Sequence, residues 1–168
     1  MASVLPVVST PDPVLLRPAN EVDPTDPAVV ALADDLVETM RASPGCVGLA
    51  ANQVGVPSRV FVLDVTGHKK AVSCAGLVVL VNPRLVAASE FTSGREGCMS
   101  VPDFTGDVSR ATSVVVRGFA PGTGDEISYA ADAFEARAFQ HELDHLDGLL
   151  FLNRVSGAHA IYPRKRYL

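Results

Sequence analysis

Apolar positions along the chain change period twice. Val29, Leu32, Ala33, Leu36, Val37 and Met40 recur at three- and four-residue spacing, the stripe of an amphipathic helix. Asp26-Pro27 in front of it supplies an N-cap and a proline at the first helical position, and Ser43-Pro44-Gly45 stops it. The pattern then shortens. Arg59 to Val65, Leu77 to Val81 and Leu85 to Phe91 are short runs rich in Val and Leu, bounded by Gly, Pro or Asn, and read as strands. Thr112 to Phe119 and Glu126 to Ala130 flank the turn-forming PGTGD and read as two more. The helical period returns near Asp132, where Asp132 and Glu135 have the spacing of a capping box, and ends at Gly148, placed like a C′ glycine. With no repeat or long linker, 168 residues predict a single domain spanning 1–168, and the order of strands then helix fits an α+β class.

The second helix carries the chemistry. Its stretch FQHELDHLDG holds two of the four histidines, three carboxylates and a glutamine. Phe134, Ala138, His141 and His145 share one stripe, so both imidazoles lie on the apolar face. HELDH matches H-E-x-x-H, in which two imidazoles one turn apart converge on a cation and the intervening Glu sits beside it as a proton acceptor. The plain alternative is a pair of partly buried, hydrogen-bonding histidines. A catalytic site also needs a third protein ligand and an open position. A metzincin would carry a histidine where Phe151 stands, and a thermolysin-type site needs a glutamate downstream, yet none follows Glu142. His159, His68, a thiolate or a carboxylate remain as third ligands. Cys98, in the Gly-containing turn REGCMSVP, is the best placed; its alternative is a small buried hydrophobe.

Charge narrows the partners. A net charge of −5 and a pI near 5.3 give no basic field for nucleic acid or anionic lipid. The basic cluster Arg164-Lys165-Arg166 reads as a solvated tail. No lysine or arginine precedes Arg17, Pro6, Pro11 and Pro13 break the first stretch, and the apolar run near Ala71 to Val81 is too short to span a bilayer, so a cytoplasmic protein without a membrane segment is expected. There Cys46, Cys74 and Cys98 stay reduced, and a thiolate is a ligand before it is a staple.

Three stretches together resemble the peptide deformylase family, which removes the N-formyl group from nascent bacterial polypeptides. Cys46 to Gln53, CVGLAANQ, is similar to its first motif, Glu96-Gly97-Cys98-Met99-Ser100 to its second, and Gln140-His141-Glu142-Leu143-Asp144-His145 to its third. The resemblance runs from about PDPVLLRPANEV to the end. It implies short, mainly antiparallel sheets around a central metal-binding HExxH helix. Cys98, His141 and His145 would hold one divalent metal, Fe²⁺ in the cell, with Zn²⁺ or Ni²⁺ as alternative occupants. Glu142 would move the proton, and the Gln53 amide and Met99 N–H would stabilise the oxyanion. Val47, Gly48, Gly97, Phe134, Arg137 and Ala138 would bind substrate: an apolar pocket for methionine, with glycines admitting its backbone as an added strand. Glu96 would orient an imidazole; Gln140 and Asp144 would support the helix. Partners implied are N-formylmethionyl peptides, with a transient ribosome contact as an option, no nucleic acid, and a monomer. Departures are Cys46 for the first glycine of motif one, Met99 for leucine, and Thr105 where many members carry arginine; they bear on how the peptide is gripped beyond its first residue. Cys46 also adds a thiol open to oxidation near the cleft. Another metal-dependent amidase or peptidase, or a non-catalytic paralogue that binds N-termini, would use the same residues.

Overall fold

The computed structural model describes residues 1–165. Two helices, α1 (Pro27–Ala42) and α2 (Ala133–Leu146), pack on an antiparallel sheet of β1 (Gly48–Ala50), β2 (Val60–Leu63), β3 (Val78–Cys98), β4 (Val101–Phe119), β5 (Glu126–Asp132) and β6 (Ile161–Pro163). The strands run in the order β1 to β5, with β6 beside β4. The class is α+β, as the order of periods predicts.

β2 shows why the layers hold. All four of its residues are buried, and alternate side chains leave opposite faces of a strand. Phe61 and Leu63 pack with Leu80, Val116, Phe139, Leu143 and Leu146 under α2. Val60 and Val62 meet Val29, Ala33, Leu36 and Met40 of α1. Each such side chain contributes about 1.5–3 kcal/mol by leaving water, so a continuous apolar run in the sequence marks a strand covered on both sides.

Local signals set both helix ends. Asp26 Oδ1 accepts from Ala28 N at 2.8 Å, with Pro27 at the first helical position. At the end of α2, Leu149 N donates to Asp144 O (2.8 Å) and Gly148 N to His145 O (3.1 Å), a Schellman motif closed by Gly148 at φ +78°. A side chain at 148 would also run into the Arg17 backbone.

Four expectations are corrected. The strands are not all short: the predicted runs at 77–81 and 85–91 fuse into β3, and the 112–119 run extends back to Val101, so β3 and β4 form one long hairpin. Pro83 is tolerated because the register shifts between Val81 and Arg84, where its missing N–H costs no ladder bond. β1 and β6, three residues each, lie outside the predicted strands. The capping box at Asp132 does not form. Asp132 Oδ1 accepts from Ser73 N (3.0 Å), and Glu135 accepts from Ser73 Oγ (2.8 Å) and Ala75 N (2.7 Å), so both carboxylates pin the loop before β3 instead. Finally, Arg164 is not a solvated tail. Its backbone N donates to Asp103 O (2.8 Å), just past β6, and its side chain turns back into the cleft described below. Arg166 of the same cluster lies outside the described residues. Among those residues, no helix is long and apolar enough to cross a membrane.

Candidate metal centre

Cys98 ends β3, and its pairing with Val101 makes Met99 and Ser100 the centre of a tight turn. α2 crosses behind that turn, with His141 and His145 one helical turn apart on its inner side. Cys98 Sγ lies 3.3 Å from His145 Nε2, and the two Nε2 atoms lie 3.2 Å apart. All three ligand atoms fall within 4.8 Å of one another. Two nitrogens bound at ~2.0–2.1 Å to a tetrahedral ion stand about 3.3 Å apart. The spacing therefore suits one ion.

The electrostatics suit a cation as well. His141 Nδ1 contacts Glu96 Oε1 at 2.9 Å, which leaves Nε2 facing Cys98 and His145. Burial disfavours an ionised Cys98, yet the charge of His145 and hydrogen bonds from His141 and His145 outweigh it and hold the thiol well below its usual range. Burial would lower His141, but hydrogen bonds to Cys98 and Glu96, and the charges of Cys98 and Glu142, raise it well above the usual imidazole range. A thiolate facing two ring nitrogens is stable only with positive charge among them.

Behind these three side chains is a buried ionic network. Arg110 donates to both oxygens of Glu96 (2.9 and 2.9 Å) and to Asp144 (2.5 Å); Arg137 also donates to Glu96 (2.8 Å), and Arg154 to Asp144. Burial would raise Glu96, but His141 and Arg110 hold it well below the usual carboxylate range. Gln140 brackets Ala111, accepting from its N–H and donating to its carbonyl, both at 2.9 Å. Asn52 donates to the His145 carbonyl. Arg110 and Asn52 escaped the sequence reading; nothing local marks an arginine on a strand as a bridge to a helix 34 residues on.

Gln53 is tied by its own turn. Its Oε1 accepts from Ala50 N at 3.0 Å, which points Nε2 at Cys98 Sγ (3.3 Å) and Ser100 Oγ (3.1 Å). Glu142 is 4% exposed, and its Oε2 has no hydrogen-bond partner among the described residues. Burial pushes the carboxyl up to about 7, against the lowering pull of His141 and His145. Gly48 is required here, since a Cβ there would lie 2.7 Å from Glu142 Oε1.

The cleft above these groups is lined by every expected substrate residue: Val47, Gly48, Gly97, Phe134, Arg137 and Ala138, and by Met99. His68 stacks on Phe134 at 3.9 Å between ring centres, a wall residue rather than part of the ligand cluster. His159 contacts Ser156 at 3.3 Å and does not join the cluster either. Arg137 crosses Gly94 to reach Thr92 O and Val108 O, both at 2.9 Å, tying α2 to both arms of the hairpin.

Cys46 also lines the cleft, with its thiol donating to Gly48 O at 3.1 Å. Burial first, then the nearby Glu142 charge, pushes it up to about 11. The thiolate is the reactive form, so at neutral pH Cys46 reacts more slowly than an ordinary exposed thiol. Brief iodoacetamide treatment is expected to label the exposed Cys74 well before Cys46, read by peptide mass spectrometry; equal labelling rates would contradict this.

An antiparallel sheet with a helix presenting H-E-x-x-H beside a thiolate defines a class, the hydrolases built around one divalent metal. The polypeptide deformylase family model matches residues 4–160. Peptide deformylase of Desulforudis audaxviator is 43% identical over 164 residues, covering 97% of this chain and 99% of the relative. The crystal structure of peptide deformylase from Ehrlichia chaffeensis superimposes with a TM-score of 0.84 at 36% identity, over 92% of this chain and 89% of the other. A Met-Ala-Ser-bound class I type b peptide deformylase from Acinetobacter baumannii gives 0.82 at 35% identity, over 90% and 99%. The chain belongs to the polypeptide deformylase family.

Proposed function

We propose that this chain hydrolyses the formamide of N-formylmethionyl peptides of nascent chains, releasing formate, with one divalent metal held by Cys98, His141 and His145 of the HExxH helix α2. The observation that carries this reading is the convergence of those three atoms, from a hairpin turn and a helix, beside the buried carboxylate of Glu142. A cation bound there supplies Lewis acidity, lowering the pKa of water toward about 7 and polarising a carbonyl oxygen.

The protein's own groups do the rest. Glu142 takes a proton from the attacking water and returns it to the departing amine as the C–N bond breaks, a transfer made short by its place between the two ligating histidines. Gln53 Nε2 and the Met99 N–H donate to the formyl oxygen as negative charge builds on it; Ala50 and the tight turn hold these donors before substrate arrives. The methionine side chain enters between Val47, Phe134 and Ala138, with the Arg137 stem alongside. Gly48 and Gly97 admit the peptide backbone.

A thiolate with two imidazoles binds Zn²⁺ more tightly than Fe²⁺, so supply selects the ion. The reading takes Fe²⁺ in the cell, with Zn²⁺ or Ni²⁺ as substitutes. It also has one catalytic domain acting as a cytoplasmic monomer that meets nascent chains in transient contact with the ribosome. Formate release from formyl-Met-Ala-Ser is expected to fall to background with a chelator and to return with Fe²⁺ or Ni²⁺. Full activity after the metal is removed, or cleavage at an internal peptide bond instead, would overturn the reading.

A further inference from the structure

We propose that Arg164 is a specificity-determining residue that grips the substrate peptide beyond its first residue, through an acceptor oxygen of the second or third residue. This rests on the deformylase reading of the cleft. Three observations place it there.

The first is position. β6 pairs with β4 so that Tyr162 stands opposite Thr105, which in turn stands opposite Gly97. Arg164 lies just beyond, anchored by its N–H to Asp103 O. Its side chain reaches across the short Thr105 onto Gly97. A Cβ built on Gly97 would overlap Arg164 Nη2 and lie 3.4 Å from both Arg164 Cζ and Thr105 Cγ2. The guanidinium thus lies over the glycine that admits the peptide backbone, in the same cleft as Met99 and Glu142.

The second is unused capacity. A guanidinium has five N–H donors. Among the described residues the Arg164 guanidinium makes one hydrogen bond, long at 3.4 Å, to Cys98 O, and no ion pair. The third is contrast with Arg95, also in the cleft. Its Nε is paired with Asp107 at 3.0 Å, and its guanidinium lies 3.6 Å from the Tyr162 ring centre, with the Tyr162 hydroxyl donating to the same Asp107. Arg95 is held by the protein, whereas Arg164 is half-buried and faces the cleft with no acidic partner among the described residues. A planar fork in that state suits a carbonyl or carboxylate oxygen. The first residue's side chain goes to the Val47 and Phe134 side, so the oxygens within reach of Gly97 belong to the second and third residues of the peptide.

The test uses full-length protein loaded with metal, the variants R164A and R164K, and two substrates, formyl-Met-Ala-Ser and formyl-methioninamide, which lacks the later residues. The ratio of kcat/KM for the tripeptide to that for the amide is expected to fall about tenfold in R164A, mostly through KM, and to recover in part in R164K. By calorimetry, the Kd for the product Met-Ala-Ser is expected to rise by a similar factor, with Tm unchanged. A ratio within twofold of wild type, an equal loss on both substrates, or a lower KM in R164A would overturn the proposal; the last would make Arg164 an obstruction. Binding of Met-Ala-Ser that depends on Arg164 but without formate release would refute the deformylase reading and leave the grip standing. Formate release with an unchanged ratio would do the reverse.

Discussion

Glu142→Gln is expected to keep the metal and to lower formate release by roughly 10²–10⁴-fold, the range for loss of a general acid–base. The amide matches the carboxylate in size, so the substitution removes the charge with little change in packing. Burial and an unpartnered Oε2 mark this carboxylate as held for chemistry, since no described residue gains from its charge through a hydrogen bond there. Metal content by elemental analysis must stay at one per chain for the comparison to hold. Turnover within tenfold of wild type at full metal content would remove Glu142 from the proton transfer.

The largest effect on stability is expected from Arg110→Met. Arg110 is 3% exposed and bridges Glu96, which orients His141, to Asp144 on α2. Removing one partner of a buried ionic group leaves the others charged and unpaired, at a cost of about 3–5 kcal/mol. For a chain of this size that lowers Tm by roughly 10 °C. Arg137 still holds Glu96 and Arg154 still holds Asp144, which places the outcome toward the lower end. Because Glu96 fixes the His141 ring, metal affinity should also fall, by about 10–100-fold, the usual effect of disturbing a ligand's orienting partner. Thermal unfolding and competition with a metal indicator read the two effects separately. An unchanged Tm would show that the network contributes little to stability.

The helix-bound part of the site was legible in the sequence for a local reason. A helix fixes the spacing of its side chains, so H-E-x-x-H already places two imidazoles one turn apart, and Gly148 already stops the helix behind them. The Asp26-Pro27 start of α1 and the turn at PGTGD are local in the same sense. Cys98 was one of several third ligands on the residues alone; the hairpin turn at Met99-Ser100 is what carries it to His145.

Where the reading erred, the reason was partnership across the chain. Residues 85–97 expose most of their side chains, so no alternation of burial announces that β3 runs on to Cys98. Backbone pairing with β4 holds it there. The Asp132 and Glu135 spacing fits a capping box, but the loop at Ser73 and Ala75 competes for both carboxylates and wins. Arg164 looks like a basic tail until β6 turns it back over Gly97.

By itself, then, the sequence determined the α+β class, the helix boundaries and the two imidazoles with their glutamate, because each depends on contacts within a few residues of one element. Only the tertiary structure decided which thiol meets those imidazoles, which arginine neutralises Glu96 and Asp144, and which arginine overhangs the cleft. Those pairs are set by strand register and by long-range packing, which bring together groups dozens of residues apart that no local periodicity encodes.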